Sequence, residues 1–214
     1  MKYNLPRKYL SYSAYKLWCS SPTGFRKRYY LNETPFRTPQ TEFGKLVGQM
    51  IEDNDRKHHA ILEEIINYPI KEHKIEVEYE GLPLLGFLDQ FNPEDLAIME
   101  MKTGHRNKKG VCPWDRLKVR KHEQLVFYCM LVELSEGRYN PKTILQWLET
   151  RHREEKAHKG GRVRLGDEAG IELTGEIETF ERNIEQWEVD KMKEKVLQVA
   201  QEISDDYTEW QKEH

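Results

Sequence analysis

A chain of 214 residues and 25.6 kDa, 37% hydrophobic and 11% aromatic, can bury one sizeable core and is expected to fold as a single domain. It has no apolar run of membrane-spanning length and no leader-like start, which argues for a soluble, unprocessed protein with no membrane partner. The net charge of −3 excludes nothing by itself, but three dispersed cysteines (Cys19, Cys112 and Cys129) without a CxxC pair exclude a disulfide framework and a four-cysteine cluster, and suit a reducing, cytoplasmic setting.

Residues 10–31, LSYSAYKLWCSSPTGFRKRYYL, predict two short helices, the first capped by Ser11 or Ser13 and the second opening near Pro22. A long helix follows, capped by Thr38 ahead of Pro39. Its apolar positions Phe43, Leu46, Val47, Met50, Ile51, Ile61, Leu62 and Ile65 recur at three- and four-residue steps, and Pro69 lies beyond its end. The period then switches to two. KIEVEY (74–79), LLGFLDQF (84–91) and LAIMEMK (96–102) predict a three-strand meander, the last two strands joined by the turn Asn92-Pro93-Glu94-Asp95. A helix from about Asp115 to Leu134, a strand over 143–149, a basic Gly-Gly turn and a strand around IELTGEIETF come next. A long amphipathic helix carrying Ile184, Trp187, Val196, Val199, Ile203 and Trp210 closes the chain. The fold class expected is α/β, a mixed central β-sheet flanked by α-helices. Residues 1–70 form its helical amino-terminal part, 71–150 its sheet and main helix, and 151–214 a basic turn, a strand and the closing helix.

Charge is distributed unevenly. Arg106, Lys108, Lys109, Arg116, Lys118, Arg120 and Lys121 face one acid, Asp115, between 106 and 122; residues 151–164 add six Lys/Arg against two Glu. From Glu172 onward thirteen acids stand against five Lys/Arg, so a basic and an acidic side are expected.

The stretch LAIMEMKTG (96–104) places Glu100 and Lys102 two residues apart, on one face of a strand, and Asp89 ends the preceding strand. Convergent carboxylates suit a hard cation such as Mg2+, and a neighbouring ammonium can orient water and steady charge growing on a phosphate. A structural Glu–Lys pair at a sheet margin is the ordinary alternative. Counted strictly, the hairpin sets Asp89 opposite about residue 97, so a bulge or splayed strands are needed to bring it to Glu100.

GFLDQ, the eleven positions from Asp89 to Glu100, EMKTG, and EQLVFYCMLVE with Gln124 and Tyr128 resemble the RecB-like branch of the PD-(D/E)XK nucleases, the branch related to the CRISPR adaptation nucleases. LSYSAYKLWCSSPTGFRKRYY and FGKLVGQMIE resemble its opening segments, and the similarity spans roughly residues 10–150. The resemblance implies a restriction-endonuclease-like core and Mg2+- or Mn2+-dependent hydrolysis of DNA phosphodiesters. Asp89, Glu100 and the Met101 carbonyl would hold the metal, Lys102 would position water or stabilise the transition state, and Gln124 and Tyr128 would line the site. A buried tyrosine satisfied by an amide is the alternative for that last pair. Many relatives carry a histidine where this chain has Gly48. Either close packing of the helix explains the glycine, or Glu52, one turn on, supplies a substitute ligand. No cysteine follows Cys129, so an iron-sulfur cluster of the kind some relatives hold is not expected.

The basic residues from Arg106 to Lys121 would then surround the reaction site and contact phosphates. FRKRYY (25–30) interleaves cations with aromatics as single-strand binders do, with a core role for Phe25 and Tyr29 as the alternative. The reading implied is a metal-dependent deoxyribonuclease, acting from an end or on single-stranded DNA in recombination, repair or phage-type DNA processing, with a helicase or recombination protein as a candidate partner. Two readings of other classes stand beside it: a catalytically silent nucleic-acid-binding subunit with the same fold, and a scaffold held by its acidic helical end.

Overall fold

The computed structural model describes residues 2–34, 38–53, 60–152 and 170–214, without the side chains of 60 and 61. A two-residue strand, β1 (Leu10–Ser11), leads into α1 (Tyr12–Ser20), where the Ser11 hydroxyl accepts the Ala14 amide, and α2 (Pro22–Tyr29), with Ser21 as cap and proline in the first turn. Helix α3 (Pro39–Glu52) is capped by the Thr38 hydroxyl. It stops at Glu52 instead of running to Ile65. Ala60–Glu64 form a separate 3-10 turn whose Leu62, with Ile65 just after it, joins the same core as Phe43, Val47 and Ile51. The three- and four-residue spacing thus marked one buried surface shared by two elements.

Strands β2 (Ile70–Tyr79), β3 (Leu82–Asn92) and β4 (Ala97–Gly104) form the expected meander. The expected single helix over 115–134 is two: α4 (Arg116–Arg120) and α5 (Glu123–Glu136). His122 between them is extended, its carbonyl taking a 2.7 Å hydrogen bond from Arg182 and its ring packing edge-on against Trp114 at 4.9 Å. These tertiary contacts break a sequence that contains neither proline nor glycine there. Helix α5 is buried on every side from Leu125 to Val132, as a helix apolar all round must be. Strands β5 (Lys142–His152) and β6 (Ile171–Asn183) and the long α6 (Gln186–Glu213) complete the chain. Of the expected basic turn at 151–164, residues 153–164 lie outside the described residues.

The sheet is mixed, in the order β1-β3-β4-β5-β6, with β2 on the other flank of β3. β4 and β5 run parallel, α4 and α5 forming the crossover; the remaining pairs are antiparallel except β1 with β3. One face carries α1, α2, α5 and α6 around Leu84, Leu88, Ile98, Leu145 and Trp147; α3 and the 3-10 turn cover Met99, Ile144 and Leu148 on the other. Phe25, Tyr29 and Tyr30 are buried in the first cluster, and Arg26 pairs with Asp206, so FRKRYY is a core segment and its aromatics are not open to bases. Trp187, expected on the apolar face of α6, is 63% exposed. Among the described residues, no helix is long and apolar enough to cross a membrane.

Candidate active site

The site lies where β3 and β4 part. Their ladder holds only for Asn92 with Ala97, Phe91 with Ile98 and Gln90 with Met99; beyond that β1 takes the vacated flank of β3, pairing with Leu84 and Leu85. Continued by one step, that register sets Asp89 opposite Glu100. The connection, residues 93–96, is centred further along the chain than the sequence count assumed, no bulge is required, and the splay of the strands opens room between the two carboxylates. In place of a ladder bond, the Asp89 carboxylate accepts the Met101 amide at 2.7 Å. The amide and carbonyl of an extended residue face the same edge, so the Met101 carbonyl also faces the fork.

Glu100 is 1% exposed and Lys102 partly so. The Lys102 ammonium donates to Glu100 Oε1 and, at 3.0 Å, to Gln124 Oε1, while Gln124 Nε2 donates to the Tyr128 hydroxyl at 2.7 Å. Asp89, Glu100, Lys102, Gln124 and Tyr128 are thus brought into one array. It combines the two alternatives for Gln124 and Tyr128: the tyrosine is buried and satisfied by the amide, and the same amide anchors the lysine. Burial, then the charge of Asp89, pushes the Glu100 carboxyl up to about 8, with Lys102 acting in opposition. Burial also raises Asp89, against the Met101 amide and Lys102. The second Glu100 oxygen, Oε2, is buried with no hydrogen-bond partner. An orphaned carboxylate oxygen beside a second buried carboxylate is a place that a cation would stabilise, and the all-oxygen donors suit Mg2+ or Mn2+.

A third carboxylate escaped the sequence reading. The β2–β3 hairpin closes on a two-residue turn, Glu80-Gly81, with φ of 50° and 80°, and pairs Tyr79 with Leu82. The same register pairs Lys71 with Gln90 and His73 with Leu88, which sets Glu72 opposite Asp89. Counting back from the Glu-Gly turn would have found it. The ladder lapses at this pair: Glu72 takes φ 47°, and Asp89 and Gln90 both line the cavity while Leu88 and Phe91 lie in the core beneath α5. Although Glu72 is an exposed residue overall, burial of its carboxyl and then the charges of Asp89 and Glu52 raise it to about 7.

The cavity, about 950 Å³, lies between the fork and α3, and Gly48, Glu52, Glu72, Asp89, Met101 and Lys102 line it. Glu52 therefore faces the same space as Asp89. The packing explanation for Gly48 does not hold, because a Cβ there would meet nothing within 4 Å; the close approach is at Gly44, whose Cβ would lie 2.9 Å from the Thr103 hydroxyl.

The basic residues divide. Lys108, Lys109, Arg116, Lys118, Arg120 and Lys121 are exposed. Arg106 is instead tied to Glu149 at 3.3 Å and Glu178 at 2.9 Å and lies over Trp147, so it is a structural cation and not part of a free basic surface. Arg120 and Lys121 line a second, smaller groove toward α6, away from the α3 side of the fork.

No protein-family model matches the chain, and no curated protein matches it in sequence. Solved structures do resemble it. A provisionally named exonuclease from Eubacterium rectale superposes with a TM-score of 0.56 at 14% identity, over 92% of this chain and 82% of that one. A phage-related exonuclease from Haemophilus somnus 129PT gives 0.53 at 15% identity, over 86% and 79%. An alkaline exonuclease from Laribacter hongkongensis gives 0.50 at 8% identity, over 96% and 93%. The chain has the mixed α/β fold that these exonuclease structures share.

Proposed function

We propose that the protein is a Mg2+- or Mn2+-dependent deoxyribonuclease of the PD-(D/E)XK type, RecB-like branch, acting at DNA ends or on single strands. The observation that carries this reading is the fork itself: Asp89 and Glu100 converge, Glu100 Oε2 has no partner, and Lys102 is held beside them by Gln124. A divalent cation bound there would relieve the repulsion of the carboxylates and draw charge from a phosphate oxygen. Glu52, from α3, and Glu72, from β2, also line the cavity and are available to complete its surroundings. Lys102 lines the cavity with its ammonium held by Glu100 and Gln124, and from there it would hold the attacking water and offset charge on the phosphate. Gln124 and Tyr128 fix its position. Hydrolysis forms the bond from water oxygen to phosphorus, breaks the bond to the leaving oxygen and delivers a proton to that oxygen. The fold shared with the three exonucleases supports the assignment, as do the exposed cations from Lys108 to Lys121. Three unpaired cysteines support a reducing, cytoplasmic compartment.

Gly48, in the place of a ligand histidine, favours the catalytically silent reading; the assembled Asp89–Glu100–Lys102 array weighs against it. The test is a metal panel on end-labelled linear and circular DNA, single- and double-stranded. Linear substrates should shorten with Mg2+ or Mn2+ while circles survive. Binding without cleavage under every metal would establish the silent subunit instead.

A further inference from the structure

The second groove, about 300 Å³, lies at the junction of α4, α5 and α6. Val126 and Met192, both buried, form its apolar floor, and the exposed Trp187 stands at its edge. Five cations line it with two acids, and the acids are already engaged: Glu188 pairs with Arg182 at 2.6 Å and Glu123 with Lys195 at 2.5 Å. Arg120, Lys121 and Lys191 are exposed and form no ion pair among the described residues. An exposed indole beside these three cations presents an aromatic face and free positive charge on one surface. The groove also adjoins the array. Glu123, on its wall, precedes Gln124, which holds Lys102, and the groove residue Arg182 binds the His122 carbonyl.

We propose that this groove seats a single-stranded stretch of nucleic acid running to or from the cavity, with a base stacked on Trp187 and phosphates on Arg120, Lys121 and Lys191. A single strand supplies both elements required, a repeating anion and an unpaired aromatic face, whereas a duplex supplies only the anion. The inference rests on the nuclease reading for the direction of the strand, but its test does not depend on cleavage.

Fluorescent oligo(dT) and a duplex of equal length are titrated with the intact protein in EDTA, at several salt concentrations. Trp187→Ala should weaken oligo(dT) binding by about ten-fold or more, the loss expected for one stacked base, and leave duplex binding unchanged. Trp187→Phe should restore most of the affinity. Lys191→Ala should weaken both ligands and lower the log-log salt slope for oligo(dT) by about 0.7. Circular dichroism checks the fold of each variant. Equal oligo(dT) affinity for the parent and Trp187→Ala overturns the proposal, as does a parent that binds no single strand. A parent that binds single strands through Trp187 but cleaves no DNA with any metal would overturn the nuclease reading and leave this one standing.

Discussion

Glu100 should make the metal-free protein lose stability as the pH rises. Its carboxyl is raised from an ordinary 4.5 to about 8, chiefly by burial and then by Asp89. A folded-state pKa above the unfolded value means that the folded protein holds the proton more tightly. The stability linked to that proton is complete below pH 4.5 and is lost progressively up to about 8, at about 1.4 kcal/mol per pH unit. Between pH 5 and 8 the loss is on the order of 4 kcal/mol, which in a chain of this length corresponds to roughly 8–16 °C in Tm. The raised carboxyl of Asp89 acts in the same sense. Replacing Glu100 by glutamine removes the titrating group but keeps the shape, so Glu100→Gln should melt higher than the parent at pH 8 and show a flatter profile. Mg2+ should raise the Tm of the parent at pH 8, since a ligand of the folded state alone stabilises it by mass action, and should do little for the variant. The assay is thermal unfolding at half-unit pH steps, in EDTA and in Mg2+. Superimposable pH profiles for parent and Glu100→Gln in EDTA would refute the reasoning, because the buried carboxyl would then not be titrating across this window.

Asp89→Asn, Glu100→Gln and Lys102→Ala should each lower cleavage by about 100-fold or more while DNA affinity persists, which gel assays and binding titrations check together. Glu52→Gln and Glu72→Gln should each raise the Mg2+ concentration for half-maximal cleavage without abolishing it; overlaying metal titrations would show that these carboxylates only border the cavity. Gly48→Ala should raise stability by about 1 kcal/mol in chemical unfolding, since a Cβ there meets nothing, and Gly48→His should shift the metal preference toward softer ions such as Ni2+ or Zn2+ in the same cleavage assay. Neutralising Lys118, Arg120 and Lys121 together should weaken binding regardless of DNA sequence and lower the log-log salt slope by about 0.7 to 0.9 per lost contact.

Much of the array could be read from local pattern. The two-residue spacing of Glu100 and Lys102 guaranteed a shared face, and the four-residue spacing of Gln124 and Tyr128 placed both on one side of α5, because strand and helix geometry fix those relations whatever the rest of the chain does. The hairpin register was legible too, in the Glu80-Gly81 turn, and it held the position of Glu72 for a reader who counted back from it.

What the sequence could not specify depends on atoms brought from far along the chain. Helix α3 and the 3-10 turn share one apolar rhythm because both meet Met99 and Leu148, so periodicity merged them. The break at His122 is imposed by Arg182, sixty residues away, and no local residue announces it. Arg106 belonged by composition to the basic run, and only the packing of β5 and β6 beside it supplied Glu149 and Glu178 as partners. Trp187, by contrast, was misplaced by its hydrophobicity although its spacing was legible: nine residues before the buried Val196 is about two and a half helical turns, which puts it on the opposite, solvent side of α6. By itself the sequence determined which side chains share a face and what chemistry they bring, since those follow from backbone geometry and residue type. Tertiary structure alone decided how far β3 and β4 splay, which carboxylates reach the same cavity and which cations remain free, because each is a balance of burial and charge between segments that meet only in the folded chain.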